Sequence, residues 1–274
     1  MKGKLKNNIR QAVHFVSSEL LKPTNPVTVN LIGAGGTGSH VLTALARLDH
    51  MLTEMNHPGL MVRVFDDDRI EPANRLRTLF ASSETGLYKS VVVTNRNNRF
   101  FGTNWKAFTE KFDRQLLKAD ASIPFAEITV SCVDSVAARL EIAAVLEQAL
   151  QASGYNRGQP RYWLDFGNSK SAGQAILSTV GDIPQPQSKL YRPVQNLPKI
   201  TDEFRDLLAL SEKGDGRNTC STAGALEEQD LFINASLAYT GVEILKKMFR
   251  EGMLFSRGVF LNLGEFRSQA LKVA

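Results

Sequence analysis

The stretch PVTVNLIGAGGTGSHVLTALARL, residues 26–48, constrains the fold more than any other. It opens with a β-rich apolar run from Val27 to Ile32, breaks at a cluster of glycines, and resumes with Val41, Leu42, Leu45 and Leu48 at helical spacing. That pattern predicts a strand, a tight turn and a helix. Gly33, Gly35 and Gly38 fall at GxGxxG spacing within the turn. Glycines there let backbone N–H groups approach a nucleotide at the start of a helix. A tight strand–helix turn that binds nothing is the plainer alternative, and the motif alone does not choose between a dinucleotide and ATP.

The pattern repeats downstream. LMVRVFD predicts a strand ending at Asp66, GLYKSVVVTNRNNRF a helix, AEITVSCVD another strand, and SVAARLEIAAVLEQAL a helix. RYWLDFGN and GQAILSTV read as two further strands. Alternation of strands and helices through residue 150 implies an α/β fold, a Rossmann-like doubly wound, mainly parallel sheet. After Val180 the texture changes. GDIPQPQSKLYRPVQNLPK carries four prolines and cannot stay regular for long. TDEFRDLLALSEK reads as a capped helix, GDGRNTCSTAG as a polar loop, EQDLFINASLAYTGVEILKKMFREG as a long helix ended by Gly252, and RGVFLNLGEF as a last strand. The expectation is one domain over residues 1–274, with a nucleotide-binding core at 27–180 and an elaborated C-terminal third at 181–274.

Composition narrows the class. With 274 residues, 43% of them apolar, the chain fits an ordinary globular protein. No apolar run approaches the roughly 18 residues of a membrane span. The basic N-terminus MKGKLKNNIRQAVHF lacks the apolar segment of a secretory signal. Cys132 and Cys220 form neither a disulfide framework nor a zinc cluster, so a reducing, cytoplasmic setting is expected. A net charge of +5 suits a phosphate-bearing ligand or an acidic partner but is also common background. Neither a nucleic-acid partner nor a membrane is expected.

What separates ATP from a dinucleotide is the stretch FDDDRIEPANRLR, residues 65–77. Asp66 ends its strand where a ribose hydroxyl donates in dinucleotide-binding folds. It lies 28 residues beyond Gly38, and the insertion DHMLTEMNHPG accounts for the excess over the usual spacing. A ribose contact fits both cofactors. A hydride-transfer enzyme, however, needs no cations beyond it, whereas this chain adds Asp68, Asn74, Arg75, Arg77 and Lys89. Charge-assisted contacts of this kind contribute about 1.5–3 kcal/mol each to holding phosphates. Asp134, in SCVDS at the carboxyl end of its strand, adds a carboxylate able to hold Mg²⁺ between phosphates. A charged surface turn is the bland reading of the same residues.

As an ordered set, GAGGTGS, then D-x-D-x-I-x-x-x-N-x-x-R, a lysine after a glycine, and a strand-end C-x-D followed by an arginine resemble the ThiF/MoeB family, bacterial relatives of ubiquitin-activating enzymes. The resemblance covers roughly residues 27–180. CSTAGALEEQDLFINASLA and RGVFLNLGEFR look most like the ThiF-related proteins of PRTRC cassettes. It implies that Gly33, Gly35, Gly36 and Gly38 line the adenosine and phosphate cleft, Asp66 takes the ribose, Asn74, Arg77 and Lys89 hold the triphosphate, and Asp134 the Mg²⁺. Arg75 stands where the family usually has an apolar residue, so its role follows from charge alone. The activity implied is adenylation of the C-terminal carboxylate of a small ubiquitin-like protein by a homodimer. Arg10 is the candidate for an N-terminal arginine that reaches into a partner's site. The prolines from Pro184 to Pro198 are candidates for a crossover that roofs the substrate tail, beside the alternative of a plain surface loop.

Two cysteines remain to be placed. Cys220, in RNTCST near Arg217, is a candidate acyl acceptor, since a cation lowers a thiol pKa; an incidental loop cysteine is the alternative. Cys132 ends an apolar strand and is expected to be buried and inert. The family's paired C-x-x-C motifs do not occur here, so no structural zinc is expected. Two rival readings stay open: an NAD-dependent oxidoreductase, and a non-catalytic nucleotide-binding adapter.

Overall fold

The computed structural model describes residues 10–72, 78, 80–119, 122, 123, 125–153, 158–205 and 230–274. In chain order the strands are β1 (Ala12–Phe15), β2 (Val27–Ile32), β3 (Leu60–Phe65), β4 (Lys106–Phe108), β5 (Ile128–Ser131), β6 (Tyr162–Asn168), β7 (Ala172–Thr179), β8 (Arg192–Pro193), β9 (Met253–Leu254), β10 (Ser256–Asn262) and β11 (Arg267–Lys272). The helices are α1 (Ser18–Leu21), α2 (Gly36–Glu54), α3 (Lys89–Phe101), α4 (Arg114–Ala119), α5 (Val136–Ser153), α6 (Ile200–Glu203) and α7 (Ile233–Glu251).

The main sheet has the order β11-β10-β7-β6-β5-β2-β3-β4. From β4 to β6 every pairing is parallel, and β7, β10 and β11 add antiparallel strands. β2 and β5 are buried along nearly their whole length, as central strands covered on both faces must be. From β2 the chain goes outward to β3 and β4, then returns to place β5 on the other side. The strand order therefore reverses between β2 and β5, and the carboxyl ends of those two strands frame a crevice where ligands of open α/β sheets bind.

Helices cover both faces. One side packs Val41, Leu42, Leu45 and Leu48 of α2, Val92 and Val93 of α3, and Leu237, Leu245 and Met248 of α7 against β2, β3 and β6. The other packs Ile142, Val145 and Leu146 of α5 with Phe65, Trp163 and Ile176. Each fully buried aliphatic side chain of this kind contributes roughly 1.5–3 kcal/mol. Gly252 ends α7 as expected, its N–H bonded to the Met248 carbonyl.

The C-terminal elaboration continues the sheet through β10 and β11. β11 was not foreseen: RSQALK lies at the sheet edge, almost wholly exposed, and carries no apolar alternation. The proline-rich stretch is irregular, as expected, apart from the two-residue β8, and it is the roofing alternative that fails. β8 pairs with β1 in a second small sheet, β8-β1-β9, and Gln185 brackets Phe15 with hydrogen bonds to its N–H and carbonyl. His14 of β1 bonds the Val194 carbonyl and the hydroxyl of Tyr162, the first residue of β6. These contacts lay the segment across the amino ends of the parallel strands, away from the β2–β5 crevice. Residues 184–198 therefore do not roof the crevice. Prolines without N–H donors suit such an edge position.

Candidate functional site

The end of β2 is stitched to both neighbours. The Gly33 N–H donates to the Phe65 carbonyl and the Cys132 N–H to the Ile32 carbonyl, each at 2.8 Å. Gly33 has a φ of +90°, and a Cβ there would meet the Cys132 carbonyl oxygen at 2.7 Å. Gly38 sits beneath the turn, where a Cβ would fall 1.9 Å from the Gly33 carbonyl oxygen. These two glycines allow α2 to start immediately after the strand. At Gly35, which caps α2, an added Cβ would meet nothing within 4 Å. That side of the turn faces open cleft, and unpaired N–H groups at the start of a long helix favour an anion there.

The cleft has a volume of about 790 Å³ and its lining includes Gly33, Gly35, Gly36, Asp66, Asp68, Lys89 and Asp134. Candidate residues from three different strand–helix junctions thus share one space. Gly38 supports the turn from below and does not line it. Thr78 also reaches the cleft. Asn74, Arg75, Arg77 and Cys220 lie outside the described residues, as does Arg217. Arg10 donates from Nη1 to the Ser188 carbonyl at 2.7 Å, beside β8 and so near the opposite end of the sheet.

Asp66 is held by the turn it serves. Its Oδ2 accepts the Ala34 N–H at 2.6 Å and its Oδ1 accepts the Asp68 N–H at 2.9 Å. Burial raises its pKa, opposed by the bond from Ala34 and the charge of Lys89. Lys89, the first residue of α3, donates from Nζ to Asp68 Oδ2 at 2.7 Å. Asp134 is exposed on the cleft wall, and its side chain has no hydrogen-bond partner among the described residues. Cys132 lies on the cleft floor, and burial pushes its thiol pKa up, which disfavours the thiolate.

Several polar residues at the site were not singled out from sequence. Asp165, in the middle of buried β6, pairs with Arg139 of α5. It also accepts the Ser131 hydroxyl at 2.5 Å, which in turn accepts the Trp163 indole N–H at 2.7 Å. Burial raises the Asp165 pKa, and the Arg139 charge opposes that shift. Asn234, at the start of α7, accepts the Thr37 hydroxyl at 2.8 Å and the Asn168 amide at 2.9 Å. Thr37, Asn168 and Asn234 line the far side of the cleft. A charged residue inside the apolar run RYWLDFGN was the available signal for Asp165; nothing local marked Asn234.

A family model matches residues 7–225, well over half the chain, and it is that of the ThiF family. The chain belongs to the ThiF family. Among solved structures, this ThiF-family chain is similar to PaaA, with 13% identity and a TM-score of 0.58 over 93% of this chain and 75% of PaaA. It is similar also to E. coli MccB with succinimide, with 17% identity and a TM-score of 0.55, and to MccB with ATP, with 16% and 0.56. Each MccB comparison covers 93% of this chain and 65% of MccB, so the chain spans just under two thirds of that protein. At these identities the likeness is one of fold. A search of curated protein sequences finds no match. No helix among the described residues is long and apolar enough to cross a membrane.

Proposed function

We propose that this ThiF-family protein adenylates the C-terminal carboxylate of a small ubiquitin-like protein, using ATP. The observation that carries the reading is the convergence of Asp66, Lys89 and Asp134 on one cleft at the strand-order reversal, beside the open face of Gly35. A dinucleotide would leave Lys89 and Asp134 without a task. In the proposed complex the ribose hydroxyls donate to the Asp66 carboxylate. The phosphates lie over the N–H groups that begin α2, within reach of Lys89, with Asn74, Arg75 and Arg77 assigned to the triphosphate from sequence.

Asp134 would hold the Mg²⁺. A lone exposed carboxylate fits that ion, which keeps waters and binds mainly through substrate phosphates. When bound, it would neutralise charge on the phosphates. The carboxylate of the partner attacks the α-phosphorus, the bond from that phosphorus to the bridging oxygen breaks, and pyrophosphate leaves with the electron pair. The product is an acyl-adenylate. A carboxylate is already ionised at pH 7, so the step needs alignment and charge stabilisation instead of a general base. A protein partner is in keeping with MccB having been crystallised with ATP and with MccA. The resemblance to the ThiF/MoeB family supports a homodimer, and the continuation of the sheet through β10 and β11 supports one adenylation domain over residues 1–274.

Exchange of labelled pyrophosphate into ATP, with candidate ubiquitin-like proteins as acceptors, tests the reading. Exchange is expected only with Mg²⁺ and a partner bearing an intact C-terminus. Stabilisation by NAD and not by Mg·ATP would move the protein to the oxidoreductases. ATP binding without exchange for any partner would make it an adapter.

A further inference from the structure

Asp134 stands on a short link between β5 and α5, and its own side chain does nothing to hold that link in place. Besides the Cys132 N–H bond to the Ile32 carbonyl and the Ala138 N–H bond to Ser135 Oγ, what holds it is Arg139. This residue is 5% exposed, and its guanidinium is hydrogen-bonded from behind the cleft wall. Nε donates to both oxygens of Asp165, at 3.2 and 3.0 Å. Nη2 donates to the Val133 carbonyl at 2.8 Å and to the Phe166 carbonyl at 2.9 Å. Nη1 reaches the Ser135 carbonyl at 3.5 Å, a long and weak contact beside the helical backbone bond between the same two residues. Val133 and Ser135 are the two neighbours of Asp134, so one arginine secures the link on both sides of the carboxylate and ties it to β6.

We infer that the Arg139–Asp165 pair is a positioning device for Asp134, fixing the β5–α5 link so that the Asp134 carboxylate meets the nucleotide-borne cation. The inference rests on the ATP reading proposed above. Arg139 is not a phosphate ligand, because its donors are turned toward Asp165 and backbone carbonyls. A buried ion pair is weak evidence for stability, since apolar replacements of similar volume are often neutral. Arginine's planar fork, however, serves a carboxylate and two carbonyls at once, which lysine's single point charge does not. Ser131 and Trp163 complete the arrangement by fixing the Asp165 carboxylate from its other side.

Arg139→Lys keeps a positive charge beside Asp165 and removes the fork. It is expected to raise the Mg²⁺ concentration needed for tight ATP binding by about tenfold or more, the usual cost of losing a group that orients a metal ligand. ATP binding measured without Mg²⁺ should stay at the wild-type value. Hydrogen–deuterium exchange of the amides between residues 133 and 138 should quicken. If Arg139→Lys does not fold, Arg139→Met combined with Asp165→Leu removes both charges, orphans neither, and reads the same quantities. Wild-type Mg²⁺ dependence and wild-type amide protection in a folded variant would overturn the inference. Asp134→Ala separates the two levels: if it leaves Mg²⁺ dependence unchanged, the ATP-site reading itself fails. If it shifts that dependence and the Arg139 variants do not, only the positioning role fails.

Discussion

Lys89 and Asp68 form a 2.7 Å ion pair at the edge of the cleft, with the lysine side chain 12% exposed and the aspartate 68% exposed. The pair joins the end of β3 to the start of α3, and the Lys89 N–H also donates to the Asp68 carbonyl. An ion pair with one partner so open to water contributes no more than about 1 kcal/mol to stability. A phosphate of the proposed nucleotide could therefore compete for the ammonium at little cost.

That arrangement makes the two residues unequal. Lys89→Met is expected to weaken ATP binding by roughly 10- to 100-fold, the loss of one charge-assisted contact. Asp68→Asn should cost distinctly less, and neither should shift unfolding by more than about 1 kcal/mol. Isothermal titration and urea denaturation measure both. Equal losses of affinity would give Asp68 a direct part in binding; undiminished affinity in Lys89→Met would remove the lysine from the phosphate site.

Asp66 predicts a pH dependence. Burial raises its pKa above the ordinary aspartate value of 3.8, so the folded protein takes up this proton more readily than the unfolded chain. Keeping the carboxylate ionised consequently costs stability at neutral pH, and the cost disappears as pH falls through the folded pKa toward 3.8. Ribose recognition in the proposed complex has the opposite preference, because only the ionised carboxylate accepts freely from both hydroxyls. ATP affinity should fall with pH across the same window. In Asp66→Asn that component should vanish, leaving only the slope that belongs to the triphosphate. Superimposable pH profiles for the two proteins would mean that Asp66 does not meet the ribose.

The glycines divide into two kinds that one substitution tells apart. Gly38→Ala places a methyl against the Gly33 carbonyl and should fail to fold stably. Gly35→Ala meets no protein atom and should fold with a stability change of about 1 kcal/mol or less. Its methyl would occupy the space over the α2 N-terminus, so ATP binding should fall even though the fold survives. Thermal unfolding paired with ATP titration reads both; wild-type affinity in Gly35→Ala would place the phosphates elsewhere.

How far these residues were readable from sequence depends on the local marks each position carries. β2, the turn and α2 were legible because apolar periodicity switches there, and the positions of Asp66 and Asp134 because each follows a short strand rich in β-branched residues. Asp165 and Arg139 were written in the sequence too, yet nothing local says that an aspartate inside β6 meets an arginine 26 residues earlier. Asn168 and Asn234 are 66 residues apart and meet only through the fold. The proline stretch is irregular as read, and only the roofing alternative failed, for a related reason: proline marks irregular backbone without saying which end of a sheet it crosses.

Arg77, assigned from the D-x-D-x-I-x-x-x-N-x-x-R pattern, separates catalysis from binding. An arginine on the triphosphate acts most as charge moves onto the departing pyrophosphate. Arg77→Ala is expected to lower the rate of adenylation on the order of 100-fold or more, and to lower ATP affinity by a smaller factor. Pre-steady-state adenylate formation against equilibrium binding gives the comparison. Equal losses would show that the residue binds substrate and transition state alike.

Cys220 bears on the fate of the acyl-adenylate. If its thiolate attacks the acyl carbon of the adenylate, AMP leaves with the electron pair, the thiol proton goes to solvent, and the partner is held as a thioester. The motivation is its setting in the polar sequence RNTCST near Arg217, set against a Cys132 whose pKa burial pushes up. Adenylation precedes transfer and uses other residues, so Cys220→Ser should keep pyrophosphate exchange while losing any thiol-sensitive adduct with the partner. Cys132→Ser should keep both. The measurement is a non-reducing gel of the enzyme with an accepted ubiquitin-like partner, with and without added thiol. Absence of a thiol-sensitive adduct in the wild type, or its normal formation in Cys220→Ser, removes the thioester. The adenylate would then pass directly to an external nucleophile.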